Sequence, residues 1–569
     1  MRAERTELLA VLAVAMLALQ PVTVGATQAG VSTAQFDDQS VAVGADGEAA
    51  VVASPPDPES DRLGWENGVW YNESINVDAS DGIDREEASR LLNRTMARVE
   101  VIRGVEFDEP VDLNFINRSS YAAYAESFAV DPLSANVQLE ALGFRGEDRN
   151  ATAAIRERQS GFAAAFVVPQ SVPQLDLQAG DVTIVVDEGQ ASFSELTLGH
   201  ELVHALQVQE LNVTFRGTNQ TTDAFNARRG LIEGDASHVG YLYERRCGAD
   251  WECVTPATGG GQRFSDAAVG LSILNYVQYS NGAEFVATLR ERGGWDAVND
   301  AYDSFPTSTE QVIHPQTYRS DQPQTVAVPD RSSAGWQPLT VDGQSAADTI
   351  GQAGLYTMLW FPSYESGMSV VMPRSAPFNQ SLRAQSPFFY DYDADATNGW
   401  DGDKLVPYVT DESSETNETG YVWSTVWDSQ ADATAFEDAY VEILKYRGAE
   451  PVAGHENTYR IPDEKTYGDA FYINQTADRL VIVNAPSVPA LSDVRSGAAP
   501  EGAAPTPTET ETPTETATTT RTTTATPPST TTAGDSTEQP TDATTTSGPG
   551  LGFVAALLAL LGFVAAGRR

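Results

Sequence analysis

The stretch Phe193-Ser194-Glu195-Leu196-Thr197-Leu198-Gly199-His200-Glu201-Leu202-Val203-His204-Ala205-Leu206-Gln207-Val208-Gln209 decides how this chain is read. Ser192 and Glu195 stand three residues apart just ahead of the apolar positions, the spacing of a capping box, so a helix is expected from Phe193 to Gln209. Residues i and i+4 share one helical face about a turn apart. His200 and His204 therefore aim two imidazoles at one point, while Glu201 points slightly round the helix. The chain has only five histidines in 569 residues, so two of them at this spacing around a glutamate carry information. The competing reading is a pair of satisfied histidines on an ordinary buried helix.

Working outward, Asp181-Val182-Thr183-Ile184-Val185-Val186-Asp187 is a β-branched run between Gly180 and Gly189 and the clearest strand in the chain. A strand followed by a helix carrying His-Glu-x-x-His resembles the zincin metallopeptidases, over residues 180 to 246. That resemblance implies Zn²⁺ at His200 and His204, Glu201 as general base, and hydrolysis of an amide bond in a peptide or protein substrate.

A catalytic zinc takes three protein ligands and keeps one position open. Metzincin spacing requires a histidine at 210, where the chain has Glu210, and the next histidine is His238. A gluzincin arrangement takes a glutamate from the next long helix, expected over 224 to 246, and Glu233 lies there between apolar neighbours in Leu231-Ile232-Glu233-Gly234. Gly230, Ser237 and Gly240 share its face and are expected to let that helix approach the first closely. Asp235 and His238 sit about 200° and 140° round the helix from Glu233. The Glu-Gly-x-Ala context resembles the third-ligand helix of several gluzincins, although the separation from His204 exceeds that of the thermolysin-like families. The other reading of Glu233 is a buried glutamate paired to an arginine. For a donor to the developing oxyanion, the candidate is His314, in Ser308-Thr309-Glu310-Gln311-Val312-Ile313-His314-Pro315, against its reading as a capped turn histidine.

Thirty-five basic residues face 80 acidic ones, for a formal charge of −45, and the acids are scattered along the chain. Such a surface repels nucleic-acid phosphates and suits molar salt, where the Debye length falls to about 3 Å. Only Lys404, Lys445 and Lys465 are lysines, a habit that resembles proteins of haloarchaea. Asp401 and Asp403, in Trp400-Asp401-Gly402-Asp403, lack the acidic pattern of an EF-hand and are expected in a solvated turn.

The ends carry processing signals. Arg2, Arg5, the apolar run Leu8 to Leu19 and Val24-Gly25-Ala26 read as a signal peptide over 1–26. Export fits Cys247 and Cys253, close enough in sequence to close a small disulfide loop, and it gives meaning to the sequons at Asn72, Asn93, Asn117, Asn150, Asn212, Asn219, Asn379, Asn417 and Asn474. At the other end, Pro549-Gly550, the run to Ala566 and Arg568-Arg569 resemble the PGF-type sorting signal of haloarchaea. In that family an archaeosortase replaces the tail with a lipid anchor. Here Leu551 and Gly552 separate Gly550 from Phe553, where the commonest form has Phe directly after Pro-Gly, and the alternative is a plain membrane anchor.

The expected organisation is a signal peptide (1–26), a flexible leader (27–60), an α/β zincin-like domain with its active-site helix on a small sheet (61–335), a smaller α+β domain (336–496), a disordered Thr/Pro-rich stalk (497–548) and a C-terminal sorting or anchor segment (549–569). The leading expectation is an exported zinc metallopeptidase on the cell surface, with no nucleic-acid partner. Its main rival is a catalytically silent surface binding or envelope protein on the same fold. A solute-binding lipoprotein ranks below both, because no cysteine precedes Cys247.

Overall fold

The computed structural model describes residues 57–504, apart from 59, 81, 127–129, 147–149, 162–164, 187–192, 214–220, 256–264 and 379–389. The signal peptide, nearly all of the leader and stalk, Pro549, Gly550 and Phe553 of the sorting segment, and the sequons at Asn219 and Asn379 lie outside the described residues.

Chain order begins with β1 (Trp65–Glu66), β2 (Val69–Trp70), α1 (Arg85–Arg103), β3 (Leu113–Asn117), α2 (Arg118–Glu126), α3 (Pro132–Ala141), α4 (Ala151–Gly161), β4 (Ala165–Val167) and β5 (Val182–Val186). There follow α5 (Glu195–Gln209), α6 (Thr222–Glu244), α7 (Asp266–Tyr276), α8 (Asn281–Tyr302) and α9 (Thr309–Ile313). The rest is β6 (Gln337–Pro338), β7 (Thr340–Val341), β8 (Gln344–Ser345), α10 (Gly351–Ser366), β9 (Trp400–Val409), α11 (Ser413–Thr416), β10 (Gly420–Trp427), α12 (Gln430–Arg447), β11 (Glu450–Pro451), β12 (Thr458–Arg460), β13 (Ala470–Thr476), β14 (Arg479–Ala485) and α13 (Val488–Val494). No helix among the described residues is long and apolar enough to cross a membrane.

Two sheets organise this mixed α/β chain. The smaller runs β3-β5-β4, with β3 parallel and β4 antiparallel to β5. Val182 and Ile184 of β5 pack in one apolar cluster with Leu91 and Val99 of α1, Leu198, Leu202 and Leu206 of α5, and Val239 of α6. The larger sheet, β11-β12-β13-β14-β10-β9-β6, is antiparallel throughout. Its two long central strands β9 and β10 are buried along nearly their whole length, because α10 and α12 cover one face and α13 the other.

Helix boundaries follow local chemistry. Asp84 makes the capping box of α1 with Glu87, and Gly104 closes it in the left-handed conformation at φ 71°. Helix α5 starts at Glu195 and not at Phe193: Ser194 is its N-cap, accepting from the Leu196 N–H, and Ser192 lies outside the described residues. Glu195 is thereby freed from capping, and its buried carboxylate accepts from Arg94, Arg98, the Tyr243 hydroxyl and the Val254 N–H at 2.5–2.8 Å. The start of α5 is thus held to α1 and to the chain beyond α6. Cys247 and Cys253 form a disulfide just after α6.

The expected turn at Trp400 to Asp403 is corrected. Trp400 to Asp403 opens strand β9 instead of forming a solvated turn. The Asp403 carboxylate is buried and accepts from the Ile350 and Gly351 N–H groups and the Trp400 and Trp423 indoles, which turns it inward. One hydrophobic core spans both sides of residue 335: Leu139, Leu142 and Phe144 of α3 and its exit and Ile273 of α7 pack with Leu355, Trp360 and Phe361 of α10 and Trp423 of β10.

Three carboxylates tie the same junction, each at a helix N-terminus. Asp348 accepts from the Thr222 N–H that begins α6 (2.7 Å), Asp223 from the Thr309 N–H that begins α9 (2.8 Å), and Asp403 from the N–H groups at the start of α10. Gly351 has φ +76° and lies so close to Asp223 Oδ1 that a Cβ there would sit 1.9 Å from it, so only glycine fits.

Candidate metal centre

Helix α5 is buried nearly all round, so its two histidines are carried inward with it: His200 is 8% exposed and His204 1%. Across from them, α6 presents Glu233, fully buried. The Nε2 atoms of His200 and His204 are 3.1 Å apart, and Glu233 Oε2 lies 3.3 and 3.2 Å from them. Among the described residues this is the one group of three or more His, Cys, Asp or Glu side chains whose ligand atoms converge.

Burial, then the neighbouring ring and Arg229, holds the His200 imidazole well below its ordinary pKa, and burial lowers that of His204 as well. Both rings are therefore neutral near neutral pH, the form that offers a lone pair to a metal. Glu201 is completely buried on the same helix, and neither carboxylate oxygen has a hydrogen-bond partner. Burial pushes its carboxyl up to about 7, against the opposing pull of His204 and Arg229. A buried carboxylate with both oxygens unpaired needs a ligand to satisfy it.

Glu233 and His204 each have a partner behind them. Glu233 keeps its second oxygen for Arg229, one turn earlier on α6, so the arginine pairing and the convergence on the histidines occur together. Arg229, brought down to about 10 by burial, is itself held by Gln278, which reaches on to Asn226. His204 Nδ1 lies 2.9 Å from Gln207 Oε1. Gln207 Nε2 donates to the Ile232 carbonyl and to the Tyr302 hydroxyl, both at 2.9 Å, and Tyr302 donates to Asp235 Oδ2 at 2.8 Å. Asp235 ends the chain in a two-pronged pair with Arg103.

The remaining expected residues fall elsewhere. Asp235 is engaged by Arg103 and Tyr302 and does not face the histidines. His238 packs edge-on to Trp295, its ring nitrogens buried and unpartnered, and burial lowers it to about 4. His314 caps the C-terminus of α9, and its Nε2 meets Gln352 of α10 at 3.1 Å. The ring that does stand beside the converging group is Tyr279, with its centroid 6.4 Å from that of His200. Burial raises the Tyr279 hydroxyl, and Arg229, Arg158 and Glu201 all act on it electrostatically. Gly230 does not serve the approach of α6 to α5: a Cβ there would strike Val312 of α9. The tightest contact of α6 is with α8, where Gly234 faces Gly282, and nothing lies within 4 Å of a Cβ on Gly240.

Residues 337–495 match a family model described as a domain of unknown function, DUF8575. The matched segment starts with strand β6 and ends with helix α13, so it takes in the seven-stranded sheet and lies outside the converging group. No curated protein and no solved structure was found to match the chain.

Of the residues around the site, Gln207 and Arg229 were within reach of helical spacing, at i+3 from His204 and i−4 from Glu233. Tyr279, in the turn between α7 and α8, and Tyr302, at the end of α8, arrive from elsewhere in the sequence and leave no local signal.

Proposed function

We propose that this chain is an exported, surface-anchored zinc-dependent peptidase with a zincin-like metal centre. The observation that carries the reading is the meeting of three buried ligand atoms, two neutral imidazoles and a carboxylate, beside a glutamate whose carboxylate has no partner. Two nitrogens and one oxygen match the donor set of catalytic zinc, which retains an open position. His200, His204 and Glu233 would hold the ion. Zinc bound there supplies Lewis acidity, lowering the pKa of water and polarising a carbonyl.

The protein's own groups do the rest. Glu201 accepts the proton of the attacking water on a carboxylate oxygen and delivers it to the leaving amine. Tyr279 stands beside His200 and is assigned the donor role towards the oxyanion, in place of His314, which is held at Gln352. Arg229 fixes the Glu233 carboxylate in one orientation. The Cys247–Cys253 disulfide, the apolar N-terminal run and the Pro549-Gly550 tail support export and anchoring.

The deciding experiment compares the wild-type chain with Glu201→Gln for zinc content and for hydrolysis of a broad peptide library, from dilute buffer to saturating salt. The variant should keep its zinc and lose about 10²–10⁴-fold in rate, the usual contribution of a positioned base. A zinc-loaded wild type that cleaves nothing would point to the silent surface protein, and unchanged hydrolysis in Glu201→Gln would refute the mechanism.

A further inference from the structure

We infer that Gln207 is a positioning residue that locks His204 in its Nδ1–H tautomer before any metal binds. An amide group has two donor hydrogens on nitrogen and only acceptor capacity on oxygen. Both Gln207 Nε2 hydrogens are committed, one to the Ile232 carbonyl and one to the Tyr302 hydroxyl. Tyr302 can receive that bond because its own hydrogen goes to Asp235, and Asp235 stays an acceptor because Arg103 grips both of its oxygens. The polarity of the whole chain is therefore set by the Arg103 charge, and it leaves Gln207 Oε1 facing His204 Nδ1 at 2.9 Å. That oxygen is the nearest acceptor to the ring, closer than Glu233 Oε2 at 3.2 Å from Nε2, which the His200 ring also faces, so the single ring hydrogen goes to Nδ1. Nε2 is left with its lone pair turned towards His200 Nε2 and Glu233 Oε2.

Every link is buried: Gln207 and His204 are each 1% exposed, Asp235 is fully buried and Arg103 is 1% exposed. Water cannot substitute for a missing partner at such depth without a cavity, so loss of one link reaches the ring. The relay also ties four helices together, with Gln207 on α5, Asp235 on α6, Tyr302 on α8 and Arg103 on α1. The ring orientation is in this way tied to the packing of the helices that bring Glu233 opposite. The consequence for zinc affinity rests on the metal-centre reading above, whereas the tautomer does not.

The test uses the full chain with ¹⁵N-labelled histidine, whose five rings keep the spectrum simple. Long-range ¹H–¹⁵N correlations on the metal-free protein in mildly alkaline buffer should show His204 as the Nδ1–H tautomer. Gln207→Leu should release it to a mixture or to Nε2–H, Gln207→Glu should retain Nδ1–H through its acceptor oxygens, and Tyr302→Phe should shift it partway. Zinc competition against a chromogenic chelator should then show a loss of about 10–100-fold for Gln207→Leu, the range typical of groups that orient a metal-bound histidine. An Nε2–H ring in the wild type, or Gln207→Leu with wild-type tautomer and zinc affinity, overturns the inference. A wild type with the Nδ1–H ring and no zinc binding sinks the metal centre and leaves the relay standing. Should Gln207→Leu fail to fold, Tyr302→Phe decides by the same two readouts.

Discussion

Placing one methyl group on Gly234 tests the reading of α6 more sharply than removing a ligand. Replacement of an interior helical glycine by alanine normally stabilises, by about 1 kcal/mol of helix propensity. At Gly234 the new Cβ would stand 2.3 Å from the carbonyl carbon and oxygen of Gly282, so the α6 and α8 backbones must separate by about 1 Å to reach ordinary contact. Backbone cannot rotate aside as a side chain can, and overpacking of this kind costs about 3 kcal/mol. The net expectation for Gly234→Ala is a loss of about 2 kcal/mol. Because Glu233 is the adjacent residue, weaker zinc retention should accompany it. The control is Gly240→Ala on the same helix, where the added Cβ meets nothing within 4 Å and a gain of about 0.5–1 kcal/mol is expected. Guanidinium unfolding of the metal-free chains in molar potassium chloride, followed by far-UV circular dichroism, gives both values from the midpoints if the slopes agree. Equal stabilisation by the two substitutions would show that α6 and α8 are not in close backbone contact and would refute the packing described above.

Other outcomes follow from the buried groups. Asp223 is raised to about 7, first by burial and further by Asp403 and Asp348, so its folded pKa lies above the unfolded value. Folding then favours the protonated form, and stability should fall as pH rises through about 7; Asp223→Asn, which keeps an acceptor for Thr309, should flatten that fall in unfolding midpoints measured against pH. Replacing both Cys247 and Cys253 by alanine should cost about 2 kcal/mol in the same unfolding assay, the expectation for so short a loop. Glu195→Ala removes the one carboxylate that pairs with buried Arg94 and Arg98 and should cost about 3–5 kcal/mol or prevent folding, read from soluble yield and melting.

Much of the site was legible because its information is local. The i, i+4 spacing of His200 and His204 needs only a helix to become geometry, and Glu233 stood out as an acid among apolar neighbours on the next long helix. Strand β5 was equally local, written in β-branched residues. Where reasoning went astray, partners distant in sequence decided the matter. Asp403 sits in a motif that looks like a turn, yet amides at 350–351 and two indoles draw its carboxylate inward. Gly230, Gly234 and Gly240 are indistinguishable as sequence, and only the position of Gly282 on α8 separates the one that must stay small from the one that need not. Tyr279 and Tyr302 carry no mark of their role until α7, α8 and the chain between them have folded against α5.

The carboxylate junction has a consequence for the order of events during synthesis. Thr221 caps α6 locally, but the carboxylate that takes the Thr222 N–H, Asp348, follows by 126 residues, and the core that backs α3 and α7 is finished by strands beyond residue 400. The first turn of the helix opposite the two histidines therefore lacks one of its acceptors until more than a hundred further residues have been made. Long-range closure of this kind is slow, since the entropy of bringing distant segments together is lost before the contacts are gained. If the cluster holds a metal as proposed, the helix that carries Glu233 reaches its final packing only after the chain beyond residue 348 has joined the junction.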